Sequence, residues 1–253
     1  MTNGGMCLEK WAIKIPSKAR KMTFVLSMLK QVIPGLKKLH SAGYSHGDMK
    51  PENICARESR DGEFKFTLID LGMCSKLMKP DTDSKRKYFR GNYIFCHAQQ
   101  IKNKRPTALD DLYSLVCVAY KFVFGTLPWL ERIEKQQAKN PRMNVYDIRF
   151  FSKFRIKYAA EFDAELVLKS EKLKPLFKYL IETRRKYNEP DPNLKVEGVD
   201  RQYEIDYDKA LSLLPNQAEY RSDSGKETGS MRFKFVSQLV KSSRIALGGS
   251  VEK

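Results

Sequence analysis

Between Ser17 and Ser41 the apolar residues Phe24, Val25, Met28, Leu29, Val32, Ile33, Leu36 and Leu39 recur at the i, i+3, i+4, i+7 spacing of one helix face. That spacing predicts one long buried helix. Pro34 removes a backbone donor and should bend it, yet the pattern continues past Gly35 to Leu36 and Leu39, so the helix runs on. Gly43 stands where a C-terminal cap belongs. Two shorter apolar runs follow, Ile54-Cys55-Ala56 and Phe64 to Ile69, separated by a polar stretch containing Asp61-Gly62. Aspartate-glycine is a hairpin signal, so two short antiparallel strands are expected.

A second apolar helix is expected from Asp110-Asp111 through Val116, Val118, Ala119, Phe122 and Val123, closed by Gly125-Thr126-Leu127-Pro128-Trp129. Phe150 to Tyr187 is helical in pattern and strongly basic, and Asn188 to Asn193 is a loop by composition. Beyond Pro215, Ser, Gly, Lys and Arg dominate, and residues 216–253 are expected to form a mostly disordered basic tail. Within it, Met231 to Val236 is a candidate docking segment.

Composition adds three constraints. At 253 residues, with 42% hydrophobic and 11% aromatic, the chain can bury a real core, which excludes a disordered protein and favours one domain plus a tail. The net charge of +17 favours anionic partners, namely nucleic acid, anionic lipid or acidic, phosphorylated protein; a merely solvated basic surface explains it equally well. Cys7, Cys55, Cys74, Cys96 and Cys117 lie scattered without a CxxC pair, so neither a zinc site nor a disulfide framework is indicated. That usage, with no long apolar run and no signal-peptide pattern, predicts a soluble intracellular chain of the cytoplasm or nucleus, with no membrane partner.

The candidate chemistry lies between His46 and Gly72. The chain reads His46-Gly47-Asp48-Met49-Lys50-Pro51-Glu52-Asn53, and then, after the hairpin, Leu68-Ile69-Asp70-Leu71-Gly72. Phosphoryl transfer needs a carboxylate to orient a hydroxyl, a cation for the developing charge and oxygen ligands for magnesium. Asp48, Lys50, Asn53 and Asp70 supply that set, and Leu68-Ile69 predicts a buried strand leading to Asp70.

This block resembles the catalytic loop (H-x-D-x-K-x-x-N) and metal-binding motif (D-x-G) of eukaryotic protein kinases. The resemblance implies ATP and Mg2+ as cofactors and protein as substrate, with nucleic acid a weaker alternative resting on charge alone. It implies Asp48 as catalytic base, Lys50 as contact to the transferred phosphate, and Asn53 and Asp70 as magnesium ligands. It also implies Cys55 in the floor beneath the adenine and Ile69 under the phosphates, although Cys55 is equally readable as a small core residue.

Phe89-Arg90-Gly91-Asn92-Tyr93 resembles the substrate-facing loop of the casein kinase one group, most closely its tau-tubulin kinase branch. His46-Gly47-Asp48, with glycine where most kinases have arginine, is the form of the vaccinia-related kinases in that group. Asn92 replaces a usual threonine and can still hydrogen-bond near Asp48. The stretch from Ser75 to Arg90 takes the place of an activation loop, with Thr82 and Ser84 either phosphate acceptors or parts of a solvated linker. Asp110-Asp111-Leu112-Tyr113-Ser114-Leu115, Gly125-Thr126-Leu127-Pro128-Trp129 and Ile205 to Leu211 resemble further stretches of the group. By that resemblance Asp111 is the buried acid holding the catalytic-loop backbone; as a helix N-terminal carboxylate it is also stabilised by the helix dipole.

Leu8 to Trp11 resembles the passage from a kinase hinge into the first helix of the large lobe. The expected fold is therefore mainly α with short β-hairpins, a kinase-like C-terminal lobe over residues 1–215 with the N-terminal β lobe missing. No glycine-rich loop, partner lysine or glutamate helix precedes residue 11. Two functions follow from the resemblance: a Ser/Thr protein kinase domain impaired by the missing lobe, or a non-catalytic interaction module built on a kinase large lobe.

Overall fold

Residues 5–77, 89, 91–103, 107–145, 147–188 and 205–216 are described by a computed structural model. Thr82, Ser84, the loop beyond Asn188 and the tail from residue 217, including Met231 to Val236, lie outside the described residues. So do most of the stretch from Ser75 to Arg90 and Arg90 itself.

The chain enters on a two-residue strand, β1 (Met6–Cys7), and turns into α1 (Leu8–Lys14). The long amphipathic pattern then forms α2 (Lys18–Ser41), N-capped by the Ser17 hydroxyl, which accepts from Arg20 N–H. Pro34 sits inside this continuous helix. Proline cannot donate to the carbonyl four residues back, on the half-buried Lys30, while Val32, Ile33 and Leu36 go to the core. Gly43 adopts φ +82 and its N–H closes on His40 O at 2.9 Å, ending the helix.

After β2 (Tyr44–Ser45) come a 3-10 turn (Pro51–Asn53), β3 (Ile54–Glu58) and β4 (Phe64–Leu68). β3 pairs antiparallel with β4 in the register Ile54 to Leu68 and Glu58 to Phe64, joined by a turn with Gly62 at φ +80. β1 adds to the other side of β3, which makes β4 an edge. Gln31 of α2 occupies that edge as a substitute strand: its amide donates to Phe64 O at 2.8 Å and accepts from Phe66 N–H at 3.2 Å. β5 (Ser75–Lys76) returns to pair with β2, so the predicted chemical block is closed at both ends by one small ladder.

The remaining elements are helical. They are α3 (Ala98–Asn103), α4 (Ala108–Phe124), α5 (Pro128–Lys139), α6 (Ile148–Lys157), α7 (Ala159–Lys169), α8 (Lys174–Asn188) and α9 (Tyr207–Ser212). α4 begins with a capping box in which Thr107 and Asp110 exchange hydrogen bonds, and Gly125 at φ +83 ends it. α2 and α4 pack along each other through the centre of the core, where Phe24 stacks on Phe122 with ring centroids 5.0 Å apart. Phe64 and Phe66 meet Phe24 edge-on from the sheet, so one aromatic cluster joins sheet and helices. The fold is mainly α with short antiparallel strands, as expected, and contains no full N-lobe sheet among the described residues. No single helix in this part is long and apolar enough to cross a membrane.

One expectation fails. Leu68 and Ile69 do not form a buried strand: Leu68 is half-buried and Ile69 is 38% exposed. β4 has the core on one face only, with Phe64, Phe66 and Leu68 alternating with exposed Lys65 and Thr67, and Ile69 lies past its end.

Candidate active site

The sharp turn between β2 and β3 carries Asp48, Lys50 and Asn53 within six residues, and its backbone is fixed from outside. Asp111, in the first turn of α4, accepts from the N–H of His46 through Oδ2 (2.6 Å) and of Gly47 through Oδ1 (2.8 Å). Gly47 has φ +76, a backbone state glycine adopts freely. The Nε2–H of His40 also donates to Asp111 Oδ2 at 2.9 Å, while its Nδ1 meets the hydroxyl of Tyr207 in α9. Burial pushes the Tyr207 phenol up, with Asp111 adding to the effect.

Within the turn, Asp48 is 7% exposed. Lys50 Nζ donates to its Oδ2 at 2.5 Å and Asn53 Nδ2 to the same oxygen at 3.1 Å. Asn53 Nδ2 also donates to the Asp48 main-chain carbonyl at 2.9 Å. Both donors therefore converge on Oδ2, and Asp48 Oδ1 accepts no hydrogen bond from the described residues. Asn53 likewise spends its nitrogen on Asp48 and keeps its amide oxygen.

Asp70 joins this group through the backbone. Ile69 N–H donates to Asn53 O at 2.9 Å, and the His46 ring Nε2 lies 3.2 Å from Ile69 O. Asp70 then takes φ +63, the one positive value at a non-glycine position among the described residues, and its Oδ1 accepts from Gly72 N–H at 3.2 Å. A residue held in this sparsely populated region outside a glycine is often a functional one. Cys55 is buried between Ile54 and Ala56, opposite Cys7 of β1, and burial raises its thiol. Asp48, Lys50, Asn53, Ile69 and Asp70 are thus brought together, and Cys55 lies just along the strand. Asn92 does not turn to Asp48; its Oδ1 accepts from Ile94 N–H at 2.9 Å, a local turn that its short amide forms readily.

Several residues of this neighbourhood were not singled out by the sequence. Glu52 stands between Lys50 and Asn53 with a buried Oε2 that has no partner in the described residues. Burial pushes its carboxyl up, and Glu9 reinforces this. Lys121 of α4 is lowered by burial, against the attraction of Glu52 and Glu9. Arg184 of α8 donates to Asp110 Oδ1 at 2.7 Å in a buried ion pair that anchors the start of α4. His40 had a signal: with Ile33 and Leu36 it continues the buried stripe of α2. Arg184 had none, because its stretch reads as a solvated basic helix.

Residues 8–187 match the protein kinase domain family. The chain is 34% identical over 106 residues to a casein kinase 1-like protein, HD16, of Oryza sativa subsp. japonica, covering 39% of this chain and 15% of the relative. It is 29% identical over 123 residues to putative casein kinase I C03C10.2 of Caenorhabditis elegans, covering 45% and 35%. With the serine/threonine-protein kinase pkn2 of Myxococcus xanthus it shares 31% over 107 residues, covering 41% and 13%. The chain thus spans between about an eighth and a third of the length of these relatives. With residues 8–187 of its 253 matched by the domain, the chain belongs to the protein kinase family.

Proposed function

We propose that the chain is a Ser/Thr protein kinase domain of the casein kinase one group that transfers the ATP γ-phosphate to protein Ser or Thr. The hydrogen-bond set on Asp48 carries this reading. With Oδ2 occupied by Lys50 and Asn53, the unengaged Oδ1 is the acceptor for a substrate hydroxyl, and the fixed orientation removes the entropic cost of aiming it. Lys50 balances the Asp48 charge at rest and is the cation closest to the developing phosphoryl charge.

The donor set fits magnesium. The amide oxygen of Asn53 and the exposed carboxylate of Asp70 are hard oxygen ligands on adjoining strand ends. Bound there with ATP, the ion would neutralise phosphate charge. The group assignment is supported by the two casein kinase-like relatives and by Asp110 to Leu115. The net charge of +17 supports acidic or phosphorylated substrates, and the five unpaired cysteines an intracellular setting.

The alternative is a non-catalytic interaction module, favoured by the exposed apolar side chains Ile69 and Leu71 beside Asp70. The deciding experiment is magnesium-dependent transfer of labelled phosphate from ATP to casein, with Asp48→Asn and Asp70→Asn as controls. Transfer lost in both controls supports the kinase. No transfer from a folded wild-type sample overturns catalysis in this chain and leaves the module.

A further inference from the structure

The segment from Gly91 to His97 lies in no helix or strand, yet most of its residues are buried. Its internal hydrogen bonds are few: Cys96 N–H to Asn92 O at 3.0 Å and Ile94 N–H to the Asn92 side chain. What holds it is Arg155, from α6. Nη1 donates to the carbonyls of Tyr93 (2.8 Å) and Ile94 (3.0 Å), and Nη2 donates to the carbonyl of Cys96 (2.6 Å).

Arg155 is 2% exposed, and its guanidinium carbon lies 3.6 Å from the ring centroid of Trp129. It forms no ion pair with a carboxylate among the described residues. The acids nearby are engaged elsewhere, Asp110 with Arg184 and Asp163 with His97 and Tyr113. Its Nε is buried without a partner among the described residues. The charge is therefore answered by three carbonyl dipoles and an indole face.

Stability alone does not call for this arrangement. Desolvating a guanidinium costs several kcal/mol, and an apolar side chain of similar volume could stack on Trp129 without that cost. A rigid planar fork that gathers the carbonyls of Tyr93, Ile94 and Cys96 from one four-residue stretch is what arginine supplies and other side chains do not. The other end of the segment touches the catalytic loop: a Cβ at Gly91 would stand 2.8 Å from the carbonyl oxygen of Gly47, the residue before Asp48.

We infer that Arg155 is a positioning residue that fixes the segment 91–97 against the catalytic loop and so sets where a protein acceptor meets Asp48. The inference rests on the reading of this segment as substrate-facing in a kinase, but the clamp itself is measurable without activity. Amide hydrogen exchange would be followed in the 253-residue chain and in Arg155→Met and Arg155→Lys. In Arg155→Met, amides of 91–97 are expected to exchange at least about tenfold faster while those of α4 are unchanged. Arg155→Lys should recover only part of the protection, because an ammonium is one compact charge facing three carbonyls.

In transfer assays the same substitution should raise KM for the protein acceptor about tenfold and leave acceptor-free ATP hydrolysis unchanged. Exchange at 91–97 that stays at the wild-type rate, or that rises together with α4, overturns the inference. A parallel fall of transfer and ATP hydrolysis without a change in KM does so as well. Absence of transfer in the wild-type chain overturns the kinase reading instead, and local loosening in Arg155→Met would still establish the clamp.

Discussion

Asp111 and Gly47 stand 64 residues apart in the chain, yet the aspartate Oδ1 accepts the glycine N–H at 2.8 Å inside the core. With the matching bond to His46, one carboxylate fixes two consecutive amides just ahead of Asp48. Asp111→Asn keeps the shape but turns one acceptor into a donor facing an N–H. The expected loss is about 2–4 kcal/mol of stability by urea unfolding, with any phosphate transfer abolished. Wild-type stability in this variant would show that the loop is held by other means.

Gly91→Ala tests the approach of the two loops. The added methyl would meet Gly47 O and Gln100 Nε2, each at 2.8 Å, and φ of +129 is itself unfavourable for alanine. A loss of about 1–3 kcal/mol is expected in thermal unfolding. Gly43→Ala is the comparison: it shares a positive φ but has open space around it, so it should cost only the conformational part, about 1 kcal/mol.

His97 should make stability fall in mild acid. Its Nδ1 accepts from Gln99 N–H and its Nε2 faces Asp163, which is the neutral tautomer, and burial with the Arg184 charge lowers its pKa from 6.5. Below about pH 6.5 the unfolded chain binds a proton that the native state declines, so stability drops as pH falls from 7 toward 5, by up to about 1.4 kcal/mol per pH unit. Asp163 acts lower down: burial raises its carboxyl, but bonds from His97 and Tyr113 outweigh this and hold it below 3.8. Its contribution persists above that value and is lost only beneath it. Urea unfolding at pH 7, 6 and 5 should therefore show a shallower pH slope in His97→Gln than in wild type.

The buried thiols should be inert. Burial pushes Cys96 up to about 12 and Cys117 well above its ordinary value, so neither supplies thiolate at pH 8. Alkylation with iodoacetamide followed by peptide mass spectrometry should find both unmodified in the native protein and both modified in urea. Rapid native labelling of Cys96 would mean that the segment it belongs to opens readily.

The long helices and the 46–72 block were legible because each rests on local information. Periodicity located α2 and α4, Asp61-Gly62 located the β3–β4 turn, and residue types at fixed spacing located Asp48, Lys50, Asn53 and Asp70. What stayed hidden depends on tertiary contact. β1 is two residues long and exists only because β3 lies beside it. Arg155 and Arg184 sit in a stretch whose charge reads as a solvated face, and only packing shows both to be buried. Ile69 was expected inside because an apolar run does not show where the strand stops.

The contact of Tyr207 with His40 links the last described helix to Asp111 and, through it, to the amides of His46 and Gly47. During synthesis, the ribosome makes the residues of the Asp48 turn some 160 residues before the hydroxyl that completes their support. A nascent chain halted short of α9 would hold every residue of the Asp48 cluster and still leave His40 with one unanswered nitrogen. The last described helix thus completes the support of a turn made far earlier in the chain.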